Sequence, residues 1–404
     1  MADHQILIVG GGAAGIATAA SLHKRDASLD IAIIEPSTTH YYQPGWTMVG
    51  AGVFKKEETA RSTASVMPSY VTQIRGTVAS FQPDENSVRL EDGKALTYGS
   101  LVVAAGLKLD WAAIEGLEEA LGRNGVTSNY RYDLAPYTWE LVQKMRGEKA
   151  IFTQPPMPIK CAGAPQKAMY LSCSTWTQAG KIKDINVSFC NAGPVLFGCA
   201  DYVPPLMEYV NSYGINLDFG HNLVKVDGPN QTATFKVTKE GEEPQLIERK
   251  FDMLHVCPPQ CAPDFIKESP LANEGGWMAV DQATLQSTIA PNVFGVGDVT
   301  STPNAKTAAA ARKQAPIVAD NLIAQMKNAA MPQAYDGYGS CPLTVEHGKI
   351  ILAEFGYGGK LMPSFPWDST KPRRAAWFLK KSVLPWIYWN AMLKGKEWLA
   401  KTTS

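Results

Sequence analysis

Residues 5–15 read Gln-Ile-Leu-Ile-Val-Gly-Gly-Gly-Ala-Ala-Gly, an apolar run followed at once by a cluster of small residues. Such a run is typical of a strand buried in a parallel sheet. A helical pattern continues to about Arg25, and a second apolar run from Asp30 to Ile34 ends at Glu35. This order predicts a strand–helix–strand unit, the building block of an α/β fold.

The glycines of this stretch, Gly10, Gly12 and Gly15, have the spacing G-x-G-x-x-G. Backbone N–H groups of such a loop, placed at a helix N-terminus, can approach a pyrophosphate closely. Glu35 stands 20 residues after Gly15, where an acid at the end of the second strand can accept hydrogen bonds from ribose hydroxyls. The pattern predicts a bound dinucleotide, with a tight glycine turn in an ordinary unit of this kind as the alternative.

Similar patterns recur further along the chain. An apolar run over 97–106 closes on Ala105 and Gly106, a new α/β segment begins near Lys149, and a buried strand over 293–298 precedes a helix. We therefore predict two Rossmann-like dinucleotide-binding domains, the first interrupted by the second, and an amphipathic C-terminal extension at the membrane interface. The predicted boundaries are 1–114 and 286–330 for the first domain, 115–285 for the second and 331–404 for the C-terminal region.

The second domain lacks an intact glycine fingerprint. Its expected strand, residues 185–190, is followed by Asn-Ala-Gly-Pro-Val-Leu-Phe-Gly at 191–198. Pro194 and Phe197 would crowd a pyrophosphate at this position. We expect this domain to keep the fold without binding a nicotinamide nucleotide, so that electrons enter the protein from another donor.

Composition limits the function classes. A chain of 404 residues with zero formal net charge is expected to form two or three domains and to have no nucleic-acid partner. The start of the chain shows no basic or apolar leader, which predicts a cytoplasmic bacterial protein.

The C-terminal tail has a different composition. Residues 366–404 carry eight Lys or Arg against two acidic residues, and five of the ten tryptophans. Their longest apolar stretch, 382–393, is far shorter than the ~20 residues that cross a bilayer. Tryptophan beside lysine is typical of a helix lying in the headgroup layer. The alternative is a basic helix packed on the protein or on a dimer partner.

Seven cysteines in a cytosolic chain do not form a disulfide scaffold, so any that pair are expected to be catalytic. Cys161 precedes a helix predicted near Ala164 and follows Lys160, a setting that lowers a thiol pKa; a buried core cysteine is the alternative. Cys341 is expected between two strands. We predict core positions for Cys173 and Cys190, leave Cys199 open, and assign no role and no metal to Cys257 and Cys261.

Three motifs carry a resemblance to a known family. The run 40–52, His-Tyr-Tyr-Gln-Pro-Gly-Trp-Thr-Met-Val-Gly-Ala-Gly, resembles the flavin loop of the sulfide:quinone oxidoreductases. Lys-Cys-Ala-Gly-Ala-Pro-Gln-Lys at 160–167 is similar to the first cysteine motif of that family. Ser-Cys-Pro-Leu at 340–343, with Ile-Leu-Ala-Glu-Phe at 351–355, is similar to the second. The similarity runs along the whole chain and is greatest to the type II branch, which includes the mitochondrial enzyme.

The resemblance implies a flavoenzyme that oxidises sulfide to sulfane sulfur through Cys161 and Cys341 and passes electrons to ubiquinone or menaquinone. It implies that sulfide attacks at Cys341 and frees a thiolate on Cys161, although the roles could be exchanged. Ser-Asn-Tyr at 128–130 replaces a third cysteine of other branches, which implies non-covalent FAD. The implied cofactor-binding residues, joined to those of the glycine loop, are Gly10, Gly12, Ala14, Gly15, Glu35, Pro44, Ala105, Gly106, Gly297, Asp298 and Lys306.

Further expectations concern partners. Lys306 would stabilise reduced flavin, or else lie exposed just outside a helix, and Phe355 and Tyr357 are the candidates for quinone contact. The sulfur acceptor would be a thiol or sulfite. The tail would hold the protein on the inner (plasma) membrane, and a homo-oligomer is a possible assembly. The alternative functions are an NADH:quinone dehydrogenase-like flavoenzyme and a flavin–thiol redox sensor that does not turn over.

Overall fold

The first strand–helix–strand unit forms as predicted in the computed structural model, which describes residues 2–146 and 149–400. The strands of these residues are, in chain order, β1 His4–Val9, β2 Ile31–Ile34, β3 Thr39–Tyr41, β4 Ala60–Ser62, β5 Val71–Ile74, β6 Val78–Gln82, β7 Ser87–Leu90, β8 Ala95–Val103, β9 Lys108–Leu109, β10 Val126–Thr127, β11 Lys149–Gln154, β12 Asn186–Asn191, β13 Asn216–Phe219, β14 His221–Asp227, β15 Thr232–Val237, β16 Gln245–Lys250, β17 Met253–His255, β18 Gln260–Cys261, β19 Val293–Gly295, β20 Gly339–Glu346 and β21 Lys349–Phe355. The α-helices are α1 Ala13–Arg25, α2 Trp46–Val49, α3 Thr63–Val66, α4 Leu117–Ala120, α5 Ala135–Lys144, α6 Ala164–Gln178, α7 Val203–Tyr213, α8 Asp264–Lys267, α9 Ala308–Met326, α10 Arg374–Phe378 and α11 Leu384–Asn390.

The first lobe is built on a sheet in the order β5-β2-β1-β8-β7-β6, with β19 also paired to β8. Strands β1, β2, β5, β8 and β19 pair in parallel, and every residue of β2 is buried, as expected for a strand covered on both faces. Helices α1 and α9 pack on this sheet around Ile16 and Val318, both fully buried. The carboxyl ends of β1 and β19 therefore meet at one edge, where ligands of open α/β sheets bind.

The second lobe has a parallel sheet in the order β10-β17-β11-β12-β13 and an antiparallel sheet of β14, β15 and β16. Its core includes the fully buried side chains of Phe152, Phe189 and Tyr202. The two Rossmann-like lobes, the second inserted in the first, confirm the predicted α/β architecture. Ala262 and Ile266 already belong to the core of the first lobe, although they precede the predicted boundary at 285.

The C-terminal region contacts both lobes. Strands β20 and β21 form an antiparallel hairpin whose buried residues Cys341 and Ile351 join the core of the second lobe. Helix α11 instead packs on the first lobe through Tyr388 and Trp389. The prediction that Cys341 lies between two strands was wrong, because the residue is inside β20.

The tail contains one continuous helical stretch formed by α10 and α11. A π-helical turn over Leu379–Val383 lies between these two α-helical parts. Within the described ranges, no helix has the length and apolar character needed to cross a membrane.

Candidate functional site

A cavity of about 460 Å³ lies where the carboxyl ends of β1 and β19 meet the C-terminal region. Its wall contains ten of the eleven predicted cofactor-binding residues and Cys161. These ten are Gly10, Gly12, Ala14, Glu35, Pro44, Ala105, Gly106, Gly297, Asp298 and Lys306. The eleventh, Gly15, lies behind the wall, in the first turn of α1.

The glycine loop has the geometry of a phosphate cradle. Gly10 has a φ of +105°, a conformation that favours glycine. A Cβ at Gly15 would lie 1.9 Å from the carbonyl oxygen of Gly10, whereas a Cβ at Gly12 would meet nothing within 4 Å. Gly15 therefore lets α1 approach β1, and Gly12 leaves open space at the helix N-terminus. The Glu35 carboxylate accepts a hydrogen bond from the Gly11 N–H at 2.7 Å.

Unpartnered polar atoms show that the cavity suits a large polar ligand such as FAD. The side-chain oxygens of Thr47 and Thr63 and both amide atoms of Asn129 are buried without a hydrogen-bond partner in the described structure, and all three residues line the cavity. Buried polar groups are normally satisfied, so these atoms indicate missing partners. Together with the space at Gly12, they fit a flavin dinucleotide.

Lys306 is buried rather than exposed, although it precedes α9 by two residues. Its Nζ donates to the carbonyl oxygen of Thr300 at 2.7 Å and lies 4.3 Å from the ring centre of Trp277. Burial lowers the pKa of Lys306 to about 8 despite the opposing charge of Asp298. An amine of this kind can carry a charge that responds to a neighbouring anion, which agrees with the expected role beside reduced flavin and not with the exposed alternative.

The two predicted catalytic cysteines are brought together from different elements. The Sγ atoms of Cys161 and Cys341 are 3.7 Å apart, and Lys167, in the first two turns of α6, donates from Nζ to the Cys161 sulfur at 2.9 Å. The Cys161 N–H donates to the carbonyl oxygen of Lys306 at 2.8 Å. This backbone bond ties the cysteine loop of the second lobe to the cofactor edge of the first.

Electrostatics make the two thiols unequal. The hydrogen bond from Cys341 and the positive charges of Lys167 and Lys380 hold the pKa of Cys161 well below its usual value, against the effect of burial. The same sulfur–sulfur contact and burial raise the pKa of Cys341. Cys161 is therefore the thiolate of the pair, and Cys341 is its hydrogen-bond donor.

The lysine that sets this thiolate is not the one predicted from the sequence. Lys160 is directed away from the sulfur, because its Nζ donates to Gln43 Oε1 at 2.6 Å. Lys167 and Lys380 were missed, since only tertiary structure brings them to Cys161. Lys380 is almost completely buried and donates to the Pro44 carbonyl oxygen at 3.0 Å; burial lowers its pKa to about 7.

The remaining cysteines lie away from this pair. Cys173 and Cys190 are fully buried, as predicted, and Cys199 and Cys257 are almost so. Cys261 is half-buried on β18. Over residues 2–146 and 149–400, no group of three His, Cys, Asp or Glu side chains could hold a metal ion.

The hairpin of β20 and β21 forms a wall of the cavity. Successive side chains of a strand point to opposite faces. Ser340, Pro342, Leu352 and Glu354 accordingly line the cavity, while Cys341 and the residues that alternate with them, Leu343, Ile351 and Ala353, belong to the core of the second lobe.

The two residues expected to contact a quinone do not lie at this cavity. Phe355 lies on the face of β21 that packs on the second-lobe core and makes an edge contact with Phe197. Tyr357 donates to the Gln282 carbonyl oxygen at 2.8 Å and packs on Tyr335. The apolar part of the cavity is formed instead by Leu352, Phe365, Leu379, Leu384 and Ile387.

The loop after β12 is held by hydrogen bonds among its own residues. The Asn191 side chain accepts from the Gly193 N–H at 2.9 Å and donates to the Val195 carbonyl oxygen at 2.8 Å. Phe197 is almost completely buried in the second-lobe core. The absence of a nicotinamide nucleotide from this lobe stays a prediction.

Comparison with known proteins gives a consistent result. Residues 4–141 match the family model of the pyridine nucleotide-disulphide oxidoreductases. The mitochondrial sulfide:quinone oxidoreductase of Mus musculus is 41% identical over 97% of this chain and 87% of its own length. That of Dictyostelium discoideum is 43% identical, with 99% and 88% covered.

A solved structure agrees at the level of the fold. The sulfide:quinone oxidoreductase of Aquifex aeolicus superposes with a TM-score of 0.78 at 20% identity, covering 96% of this chain and 92% of that one. At this identity the likeness concerns the fold alone.

Proposed function

This chain belongs to the sulfide:quinone oxidoreductase family, and we propose that it carries out the reaction of that family through Cys161 and Cys341. Its activity is the oxidation of sulfide with a quinone as electron acceptor, and it uses a flavin cofactor. The observation that carries the assignment of the cysteines is their 3.7 Å sulfur–sulfur distance, with Lys167 Nζ 2.9 Å from Cys161.

In the proposed resting enzyme, a disulfide joins Cys161 and Cys341, or one extra sulfur bridges them. In the disulfide form, HS⁻ attacks the Cys341 sulfur, so that a new S–S bond forms there and the bond to Cys161 breaks. Cys161 leaves as a thiolate, which Lys167 stabilises by charge and hydrogen bonding. The thiol of lower pKa is the better leaving group in such an exchange. This assigns the persulfide to Cys341 and the leaving role to Cys161.

The second half of the sulfur reaction returns the cysteines to their starting state. A thiolate or sulfite attacks the outer sulfur of the Cys341 persulfide, and Cys341 leaves as a thiolate with its electron pair. The two cysteines then lose two electrons as they rejoin. FAD, when bound, supplies the two-electron acceptor that passes these electrons to the quinone.

We propose that the chain holds FAD without a covalent bond. Glu35 and the Gly10–Gly12 loop would bind the ribose and pyrophosphate, with Thr47, Thr63 and Asn129 supplying further hydrogen bonds. Asp298 and Lys306 would contact the flavin end. Among the described residues, Cys161 is the one cysteine that lines the cavity, and its sulfur already has a partner in Lys167.

We propose that the tail binds the surface of the inner (plasma) membrane. Trp386 and Trp398 stack on each other, with 48% and 53% of their surfaces exposed. The side chains of Lys381, Lys394 and Lys396 are exposed nearby along the chain. Trp398 of this patch borders an opening together with Leu379, Ile387 and Leu399, through which an apolar quinone would enter the cavity.

The assignment of the cysteines is tested by anaerobic addition of sulfide to the purified flavoprotein. The flavin band is expected to bleach and to recover when a short-chain quinone is added. Cys161→Ser should slow the bleaching by roughly a thousandfold or more, because it removes the leaving thiolate. Cys261→Ser, a half-buried cysteine outside the site, is the matched control. Unchanged bleaching in Cys161→Ser would refute the assignment.

A further inference from the structure

The cavity face of the hairpin carries one side chain whose chemistry differs from its surroundings. Glu354 is 3% exposed and lines the cavity beside Leu352 and Phe365. Its cross-strand neighbour is Ser340, one position before Cys341 in β20. A carboxyl group is costly to bury unless it is hydrogen-bonded, so its presence in this apolar part of the cavity calls for a chemical reason.

The hydrogen bonds of Glu354 leave part of the carboxyl group available. Oε1 accepts from the Tyr338 hydroxyl at 2.5 Å and from the Ser364 hydroxyl at 2.6 Å. Oε2 accepts from the Ser364 N–H at 3.0 Å. The backbone of Glu354 is held by the Tyr202 hydroxyl, which accepts from its N–H at 3.1 Å. The side chain is thus held in one orientation, while a carboxylate oxygen can accept more than one hydrogen bond.

A cation and two hydroxyls surround this carboxyl group. Arg312 of α9 lines the same cavity, and its Nε is buried without a hydrogen-bond partner in the described structure. Burial lowers the pKa of Arg312, with Tyr338 and Glu354 acting in the opposite direction. Lys313 of the same helix lies 4.7 Å from the ring centre of Tyr338. The charged and titratable groups facing Glu354 are therefore Arg312, Lys313, Tyr338 and Tyr202.

We propose that Glu354 delivers a proton to the quinone as it is reduced. The inference rests on the proposed function, because it takes the apolar part of the cavity as the quinone site. Reduction of a quinone to its quinol takes two electrons and two protons. In the proposed step, two electrons and one proton come from the reduced enzyme. The O–H bond of the Glu354 carboxyl breaks as the second quinol O–H bond forms, and solvent then returns a proton to the carboxylate.

The unpartnered Arg312 Nε gives the quinone a second polar contact. A quinone ring carries two carbonyl oxygens, which accept hydrogen bonds but cannot donate them. Arg312 can donate to one oxygen at all times, whereas Glu354 can donate to the other only when protonated. The pair would therefore position the ring and supply the proton from separate residues. Glu354 is placed as the catalytic residue and Arg312 as a positioning residue.

The test follows reoxidation of the flavin separately from its reduction. The enzyme is reduced photochemically, without sulfide, and mixed in stopped flow with a short-chain ubiquinone or with ferricyanide, which takes up no proton. In Glu354→Gln, which keeps the shape of the side chain, reoxidation by saturating quinone is expected to slow roughly a hundredfold, the usual size of a general-acid contribution. Reoxidation by ferricyanide should stay within about twofold of the parent protein.

A matched variant and a binding measurement distinguish loss of proton transfer from damage to the structure. Glu346→Gln makes the same change at the far end of the hairpin, where Glu346 pairs with Lys349, and should leave both reactions unaltered. The affinity for quinone, followed by tryptophan quenching, should change by less than about fivefold in Glu354→Gln. The solvent deuterium isotope effect on quinone reoxidation should be altered in this variant.

Three results would overturn the proposal. They are quinone reoxidation at the parent rate in Glu354→Gln, an equal slowing with ferricyanide, and a rate fully restored by raising the quinone concentration. Because photochemical reduction bypasses sulfide, the result does not depend on the cysteine chemistry. If the parent protein is reoxidised by quinone but not bleached by sulfide, the proposed function fails while the role of Glu354 stands.

Discussion

The reactivity of Cys161 depends strongly on the side chain of Lys167. Lys167 donates to its sulfur at 2.9 Å; the lysine is buried and the cysteine half-buried. Burial alone would lower the pKa of Lys167, but the neighbouring sulfurs raise it above its ordinary value. A charged lysine and a thiolate therefore stabilise each other, and their mutual attraction, which the low dielectric of the site strengthens, outweighs the cost of burying each charge.

Replacing Lys167 should raise the pKa of Cys161. In Lys167→Gln, the thiolate would lose its nearest cation while the hydrogen bond from Cys341 remains. Alkylation of the reduced enzyme by iodoacetamide at neutral pH is expected to slow by roughly tenfold, since the thiolate is the nucleophile. The pH at which alkylation reaches half its maximal rate should move upward. Lys183→Gln, an exposed lysine after the same helix, provides the control, and an equal change in both variants would refute the explanation.

At the level of elements, the contact between α1 and β1 requires glycine at position 15 but not at position 12. Gly15 lies against the Gly10 carbonyl oxygen, whereas Gly12 faces open space. This arrangement agrees with the G-x-G-x-x-G spacing, in which the third glycine allows close packing of helix and strand. The local sequence pattern was sufficient to predict such elements. Most predicted strands and helices begin and end within a few residues of the observed bounds.

The two glycines should respond differently to alanine. Gly15→Ala forces the helix away from β1 and is expected to destabilise the apo-protein by about 1–3 kcal/mol, the usual cost of overpacking. Gly12→Ala meets no protein atom and has a compatible backbone conformation, so the melting temperature of the apo-protein should be retained. Its added methyl group would instead weaken binding of FAD, measured by titration of the apo-protein. A lower melting temperature for Gly12→Ala than for Gly15→Ala would contradict this assignment.

The hairpin of β20 and β21 shows that the local sequence pattern does not predict which side chains line the cavity. Phe355 was predicted to contact a quinone because it is aromatic, and strand alternation places it on the opposite face of β21 from Glu354. The face that meets the cavity depends on how the hairpin docks between the lobes, which is tertiary information. Lys380 was missed for the same reason, since it reaches the cysteines from a segment 39 residues after Cys341.

For the whole molecule, the C-terminal region joins the lobes and presents an apolar patch to solvent. Its inner side is held by the hydrogen bond of 2.6 Å between His40 Nε2 and the Tyr388 hydroxyl. Burial lowers the pKa of His40, which favours the neutral ring. Ion pairs of Glu397 with Lys24 and Arg25 tie the end of the tail to α1. The helix and chain end that carry Trp386 and Trp398 are thus anchored to the first lobe.

A fixed apolar patch flanked by lysines should bind anionic vesicles. The double variant Trp386→Ala/Trp398→Ala is expected to weaken binding to phosphatidylglycerol vesicles by at least roughly tenfold, because two large apolar side chains no longer leave water. Leu246→Ala/Ile247→Ala, an exposed apolar pair on the second lobe, is the control in the same sedimentation assay. Equal binding by both double variants would show that another surface meets the membrane.

The alternation of side chains in β20 and β21 also bears on unwanted chemistry. Quinones are electrophiles, and a sulfur nucleophile that meets one can form a dead-end thioether. Cys341 is fully buried on one side of the hairpin, while the proposed quinone-binding residues Leu352 and Glu354 lie on the other. A persulfide formed on Cys341 would therefore be insulated from the quinone by the thickness of a single strand. The strand would therefore keep the Cys341 persulfide apart from the quinone, while the electrons leave by way of Cys161 at the cavity.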